Sequence, residues 1–144
     1  IVQEINEIDF QFFPEGGEFL LGIPNQIGVK ATTAAGYGID FKGSIVNQDD
    51  TEISPINYGH AGMGSFYINP EAGKNYRAKI IYKGGTIKYY PLPNLKESGI
   101  TLQLGAQTPE VIQLKILASP AFLAANNGKT FHIIGQTIFY SNLY

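Results

Sequence analysis

Short runs in which apolar and polar residues alternate, broken every few residues by Gly or Pro, constrain this chain more than any other feature. From Gln26 to Thr33, Ile27, Val29 and Ala31 fall on one face and Gln26, Lys30 and Thr32 on the other. This is the period of two that a pleated strand with one wet side imposes. The same alternation turns Ile39, Phe41 and Ile45 inward against Asp40, Lys42 and Ser44, and Tyr76, Ala78, Ile80 and Tyr82 inward against Arg77 and Lys79. One-sided burial favours antiparallel pairing over a parallel sheet covered on both faces. Helical periodicity is hard to find. Only Pro120 to Ala125 has a helix-compatible composition, and so short a run opening with Pro predicts one turn at most.

Asp9 to Phe13, Glu18 to Leu21, Glu52 to Asn57, Met63 to Asn69 and Thr86 to Tyr90 read as further strands, joined by turn sequences such as Gly16-Gly17, Gln48-Asp49-Asp50 and Gly84-Gly85. About eight strands thus precede residue 92, the pattern of an antiparallel two-sheet sandwich. Pro91-Leu92-Pro93-Asn94 then interrupts it, because two prolines in three residues cannot donate to a ladder. A domain boundary is expected there, with one whole sandwich over residues 1–93 and a partial second β domain over 94–144. The second part carries strands expected at Ile100 to Leu104, Val111 to Ala118, Thr130 to Gly135 and Thr137 to Leu143. Four strands fall short of the roughly seven that such a sandwich needs. Its inward candidates Ile112, Leu114, Ile116, Phe131, Ile133 and Phe139 must therefore be covered by the first domain, by the same segment of another copy, or by strand exchange between copies. Self-association through residues 94–144 is the expected outcome of the three.

Composition narrows the function. With 144 residues and 44 % hydrophobic content the chain can bury a real core. Only 15 % of residues are charged and the net charge is -2, so no basic face exists to neutralise a phosphate backbone, and nucleic acid is not expected as a partner. The absence of Cys removes disulfides, thiolate metal sites and cysteine nucleophiles together. No Asn-x-Ser/Thr acceptor occurs, which leans away from a glycosylated eukaryotic surface protein. No stretch approaches the roughly 20 apolar residues of a membrane-spanning helix, so no membrane insertion of this segment is expected. The opening Ile1-Val2-Gln3-Glu4 has neither an initiator Met nor a signal-peptide pattern, as in a piece cut from a longer chain.

Chemical motifs are few. His60 lies in a glycine turn and His132 in an expected strand of the other domain, which argues against a shared metal site. No Gly-x-Ser-x-Gly elbow is present. Asp49, Asp50 and Glu52 have ligands suited to calcium, but adjacent aspartates in a turn ordinarily face water. Gly59-His60-Ala61-Gly62-Met63-Gly64 looks superficially like a phosphate loop, yet a strand follows it and not a helix, so the cradle of helix amides is missing. No cofactor is expected. Tyr82, Tyr89 and Tyr90 form the densest aromatic group and the one candidate ligand surface, although neighbours Tyr89 and Tyr90 must point to opposite faces of a strand. Phe10 and Phe12 share a face suited to the core, and Phe13 turns the other way before Pro14.

The segment Asp9-Phe10-Gln11-Phe12-Phe13-Pro14-Glu15-Gly16-Gly17 resembles a recurrent motif of macroglobulin-like domains in large bacterial envelope proteins. The downstream order is similar as well: Gly22-Ile23-Pro24-Asn25, Val29-Lys30-Ala31, Gly36-Tyr37-Gly38 and Phe41 to Val46. The most specific piece is His60-Ala61-Gly62-Met63-Gly64-Ser65-Phe66, which leads to Pro70, Gly73, Tyr76 and Ala78. The resemblance covers residues 9–93, and the remainder resembles the start of the next domain in a tandem array. It implies a non-enzymatic, immunoglobulin-like sandwich of the macroglobulin type, exported to the periplasm or cell surface of a Gram-negative bacterium and often associated with TonB-dependent outer-membrane systems. Its expected partners are other domains of the same parent protein or other envelope proteins. Thioester trapping is excluded, since it needs a cysteine.

The leading expectation is thus a structural or interaction module. A carbohydrate-binding module using exposed tyrosines is the alternative, and a hydrolase with a carboxylate pair such as Asp49 and Glu52 ranks third.

Overall fold

The structure is a computed structural model that describes residues 7–136. In chain order its elements are β1 (Ile8–Pro14), β2 (Phe19–Leu20), β3 (Asn25–Thr33), β4 (Phe41–Asn47), β5 (Glu52–Pro55), β6 (Asn57–Tyr58), β7 (Met63–Ile68), β8 (Tyr76–Tyr82), β9 (Ile87–Pro91), β10 (Leu95–Lys96), β11 (Ile100–Gln107), β12 (Ile112–Ala118) and α1 (Pro120–Ala125). Two four-stranded antiparallel sheets, ordered β1-β3-β7-β6 and β5-β4-β8-β9, face each other.

The alternation read from the sequence becomes the core. Phe10 from β1, Ile27, Val29 and Ala31 from β3, and Phe66 and Ile68 from β7 meet Phe41 and Ile45 from β4 and Ala78, Ile80 and Tyr82 from β8. These side chains come from both sheets, so their contact makes the chain an all-β sandwich. Tyr76 is half-buried at the edge of this cluster and Ile39 packs beside it. Rings lock the first strand in place: Phe10 stacks on Tyr90 at 4.7 Å between centroids and meets Phe41 edge-on at 5.4 Å.

The run Glu52 to Asn57, expected as one strand, is two. β5 pairs with β4 in one sheet and β6 pairs with β7 in the other. Pro55, opposite Ser44, has no N–H to extend the ladder, and the next residue, Ile56, donates to the Gly43 carbonyl at 2.9 Å while burying its side chain in the core. The chain changes sheets at that corner.

After Pro91 the connector does not leave the sandwich. β10 returns to pair with β2, and this ladder is parallel, with Leu95 opposite Phe19 and Lys96 opposite Leu20. Leu92 and Leu95 pack on the core, so contacts reach across the expected boundary at 93/94. β11 and β12 then form a two-stranded antiparallel ribbon with an irregularity between Leu104 and Gln107. Helix α1 is six residues long and is capped by Ser119, whose Oγ accepts from the Phe122 N–H at 3.3 Å.

The strand expected at Thr130 to Gly135 is absent. Those residues are exposed and in no ladder, because no described strand lies beside them and an unpaired strand has nowhere to place its backbone donors except water. The strand expected at Thr137 to Leu143, with its inward candidate Phe139, lies outside the described residues.

Candidate functional site

The glycine-rich segment at His60 is a backbone corner. Ala61 and Gly62 both have positive φ, +52° and +77°, in the left-handed region that costs an L-residue strain. Gly62 also sits where the first sheet closes: its carbonyl accepts from the Ala31 N–H at 2.8 Å, and a Cβ there would stand 2.2 Å from the Ala31 carbonyl oxygen. The Tyr58 hydroxyl holds the corner from outside, donating to Asp40 and accepting from the Gly62 N–H at 3.4 Å. The Asp40 carboxylate raises the ionisation of Tyr58 above its ordinary value, since it favours the protonated hydroxyl. Gly64 has no positive φ, but a Cβ on it would meet the Asn57 carbonyl at 2.9 Å. His60 and Met63 face solvent and Phe66 is fully buried, so the side chains of the segment point apart around a corner that leads into β7.

Pro14-Glu15-Gly16-Gly17 is a tight turn closed by the Gly17 N–H on the Pro14 carbonyl at 2.9 Å, with φ of +78° at Gly16 and +88° at Gly17. Of the aromatics before it, Phe12 reaches Phe66 edge-on at 6.4 Å, whereas Phe13 faces water.

The three tyrosines separate. Tyr82 is in the core with 3 % exposure, and its hydroxyl shares a 2.9 Å hydrogen bond with that of Tyr90, which stacks on Phe10. Burial, reinforced by that bond, pushes the Tyr82 hydroxyl well above its ordinary ionisation range. Only Tyr89 presents its ring to solvent, as strand alternation requires of its neighbour's opposite. The ligand surface expected from Tyr82, Tyr89 and Tyr90 therefore reduces to one ring, and the Arg77 guanidinium occupies one face of it, 4.3 Å from the centroid.

Around Tyr89 lies a charge cluster that sequence reasoning missed. Asp50, at φ +63° in the β4–β5 turn, folds over the outer face of the second sheet. It binds Lys79, sits 3.4 Å from an Arg77 Nη and accepts from the Tyr89 hydroxyl at 3.2 Å. The hydrogen bond from Lys79 holds the Asp50 carboxyl below its ordinary value of 3.8, helped by Tyr89 and Arg77 and opposed by desolvation. The same pair raises Lys79. The turn that delivers Asp50 is built on Asn47, whose Oδ1 accepts from the Asp49 and Thr51 N–H groups, each at 2.9 Å. Asp49 and Glu52 are exposed, and among the described residues no group of three or more His, Cys, Asp or Glu is placed to hold a metal ion. The signal for the cluster was present as two cations, Arg77 and Lys79, on the outward face of β8; their anion came from a turn whose conformation the sequence does not specify.

Among the described residues, the β11–β12 ribbon carries an exposed aliphatic face. Pairing of Leu102 with Ile116 and Leu104 with Leu114 puts these four and Ile112 on one face, and all five are between 42 and 66 % exposed. Phe131 and Ile133, expected inward, are exposed as well. No helix among the described residues is long and apolar enough to cross a membrane. Comparison with protein families, with curated proteins and with solved structures finds no match to this chain.

Proposed function

We propose that the chain is a non-catalytic structural and interaction module of a larger bacterial protein of the periplasm or cell surface, its sandwich being immunoglobulin-like and of the macroglobulin type. The observation that carries this reading is the aliphatic face of the β11–β12 ribbon, formed by Leu102, Leu104, Ile112, Leu114 and Ile116. Covering half-exposed Leu and Ile side chains yields about 1 kcal/mol each, so this face favours association with another protein surface by several kcal/mol. The resemblance of the Pro14–Gly17 and His60–Phe66 segments to envelope domains strung in series points the same way, and their residues serve backbone geometry.

The nearest available cover in a solution of this chain alone is a second copy, since every copy presents the same face and a two-fold contact pairs like with like. Sedimentation equilibrium at micromolar concentration is expected to show a dimer. A clean monomer with protected amides along β12 would overturn self-association and leave contact within one chain.

Carbohydrate binding is the alternative function, and Tyr89 is the residue that would carry it. Calorimetric titration with neutral oligosaccharides decides between the two: binding at millimolar strength or tighter that disappears in Tyr89→Ala would replace the interaction-module reading.

A further inference from the structure

The ribbon is amphipathic, yet its apolar side faces water while Thr101 and Gln103 of its polar side reach the sandwich. Something other than hydrophobic burial must orient it. The contacts that do so converge on the turn at Pro14–Gly17. One Glu15 carboxylate oxygen accepts the Leu104 N–H at 2.8 Å, and the Glu15 backbone carbonyl accepts the Thr101 hydroxyl at 3.0 Å. Gln103 donates from its amide to the Pro24 carbonyl at 3.1 Å. Thr101 and Gln103 belong to the face of β11 opposite Leu102 and Leu104, so the polar side chains are turned toward the sandwich. Gly16 lies directly against the strand: a Cβ on it would stand 1.8 Å from the Thr101 Oγ1 and 2.9 Å from the Leu102 carbonyl oxygen.

Leu104 N–H points away from β12, on the edge of β11 where a further strand would bind. The Glu15 carboxylate thus takes the place of a neighbouring strand. It satisfies an edge donor with a charge-assisted bond, which is stronger than a neutral ladder bond. Its second oxygen is buried and accepts nothing among the described residues, so the carboxylate is committed to this one contact. The next residues extend the same strip: β2 pairs with β10, Lys96 binds Glu18, and Gly99 leaves no room for a side chain beside Leu20, with a Cβ 2.5 Å from its Cδ2.

We propose that Pro14–Leu21 is a docking strip for the chain that follows the sandwich, residues 95–104, and that Glu15 is the positioning residue that sets the ribbon's orientation and closes the inner edge of β11 to other strands. The proposal goes beyond the interaction-module reading and does not depend on what covers the ribbon's outer face.

Amide exchange and ¹⁵N relaxation on the whole chain test it. Glu15→Ala is expected to speed exchange at Leu104 about tenfold or more, as loss of a charged acceptor implies, and to let the ribbon tumble apart from the sandwich, while Ile45 and Ile80 keep their protection. Glu15→Gln retains an acceptor of the same length and is expected to fall between, with the Leu104 amide proton moving upfield as the charge is lost. Unchanged exchange and shift at Leu104 in either variant would overturn the assignment. Should Glu15→Ala fail to fold, Glu15→Gln with Thr101→Val decides, because removing the Thr101 hydroxyl donor must also free Leu104 if the strip holds the ribbon. Repeating the measurements in the Leu114→Glu background, expected to be monomeric, separates failure here from failure of the proposed function.

Discussion

Phe66 shows what one side chain does in this sandwich. It is fully buried where β7 faces the second sheet, and Phe12 meets it edge-on. Phe66→Ala is expected to cost about 3–5 kcal/mol in chemical denaturation, as for other buried aromatics. Gly62 acts through the backbone. A side chain there meets both a positive φ and the Ala31 carbonyl, so Gly62→Val is expected to lower the melting temperature with no ligand present. Gly73 supplies the control: its φ is +74° but nothing lies within 4 Å of a Cβ, and Gly73→Ala should lose only the conformational strain of about 1 kcal/mol. Equal melting temperatures for the two variants would mean that the Gly62 corner yields. The inward placing of Phe66 follows from alternation in the sequence. The crowding at Gly62 follows from Ala31, thirty-one residues earlier in the chain, and no local rule reveals it.

Among the elements, the tie of the β4–β5 turn to β8 and the start of α1 each rest on one polar residue. Asp50 ties its turn to β8, and its carboxyl titrates below its ordinary 3.8 because the folded protein favours the charged form. A group with a lowered folded value contributes its stability above the unfolded value and loses it as the pH falls through the folded one. Asp50→Asn is therefore expected to destabilise at neutral pH, with the difference from the parent chain narrowing below about pH 3.8 in denaturation curves taken across that range. A difference that stays constant into acid would show that the charge of Asp50 is not what holds the turn. Ser119 has two tasks: its Oγ accepts from Phe122 at the start of α1 and from the Gly99 N–H at 3.1 Å, and the residue is fully buried. Ser119→Ala is expected to cost about 1–3 kcal/mol through the lost cap and the stranded Gly99 donor, and to speed exchange at both amides. The helix was legible as a short run opening with Pro, although its six residues exceed the one turn expected, and its tie to Gly99, twenty residues away, was not legible.

For the whole molecule, a ribbon with its aliphatic face outward is what the proposed association rests on. Leu114→Glu is expected to convert the sedimenting dimer to a monomer and to leave the sandwich's melting temperature unchanged, because Leu114 is 44 % exposed and lies outside its core. A dimer that survives the charge would place the contact elsewhere, with the outer face of the second sheet around Ile81, Ile87 and Tyr89 as the next surface to mutate.

Read by itself, the sequence determines the class of fold and the inner faces of its main strands. Alternation assigns Ile27, Val29, Phe41, Ile45, Ala78 and Ile80 inward, and all are buried, because a pleated strand with one wet side leaves no other arrangement. It also separates Tyr89 from Tyr90. What only the tertiary structure decides is where strands find their partners. Pro55 and Ile56 carry the chain from one sheet to the other, β10 pairs in parallel with β2, and Glu15 reaches an edge amide eighty-nine residues away. The stretch Thr130 to Gly135 alternates as a strand should, yet enters no ladder with the described residues. Periodicity is a property of the local chain, whereas a ladder needs a second strand delivered to within about 5 Å of the first, and that delivery belongs to the assembled fold.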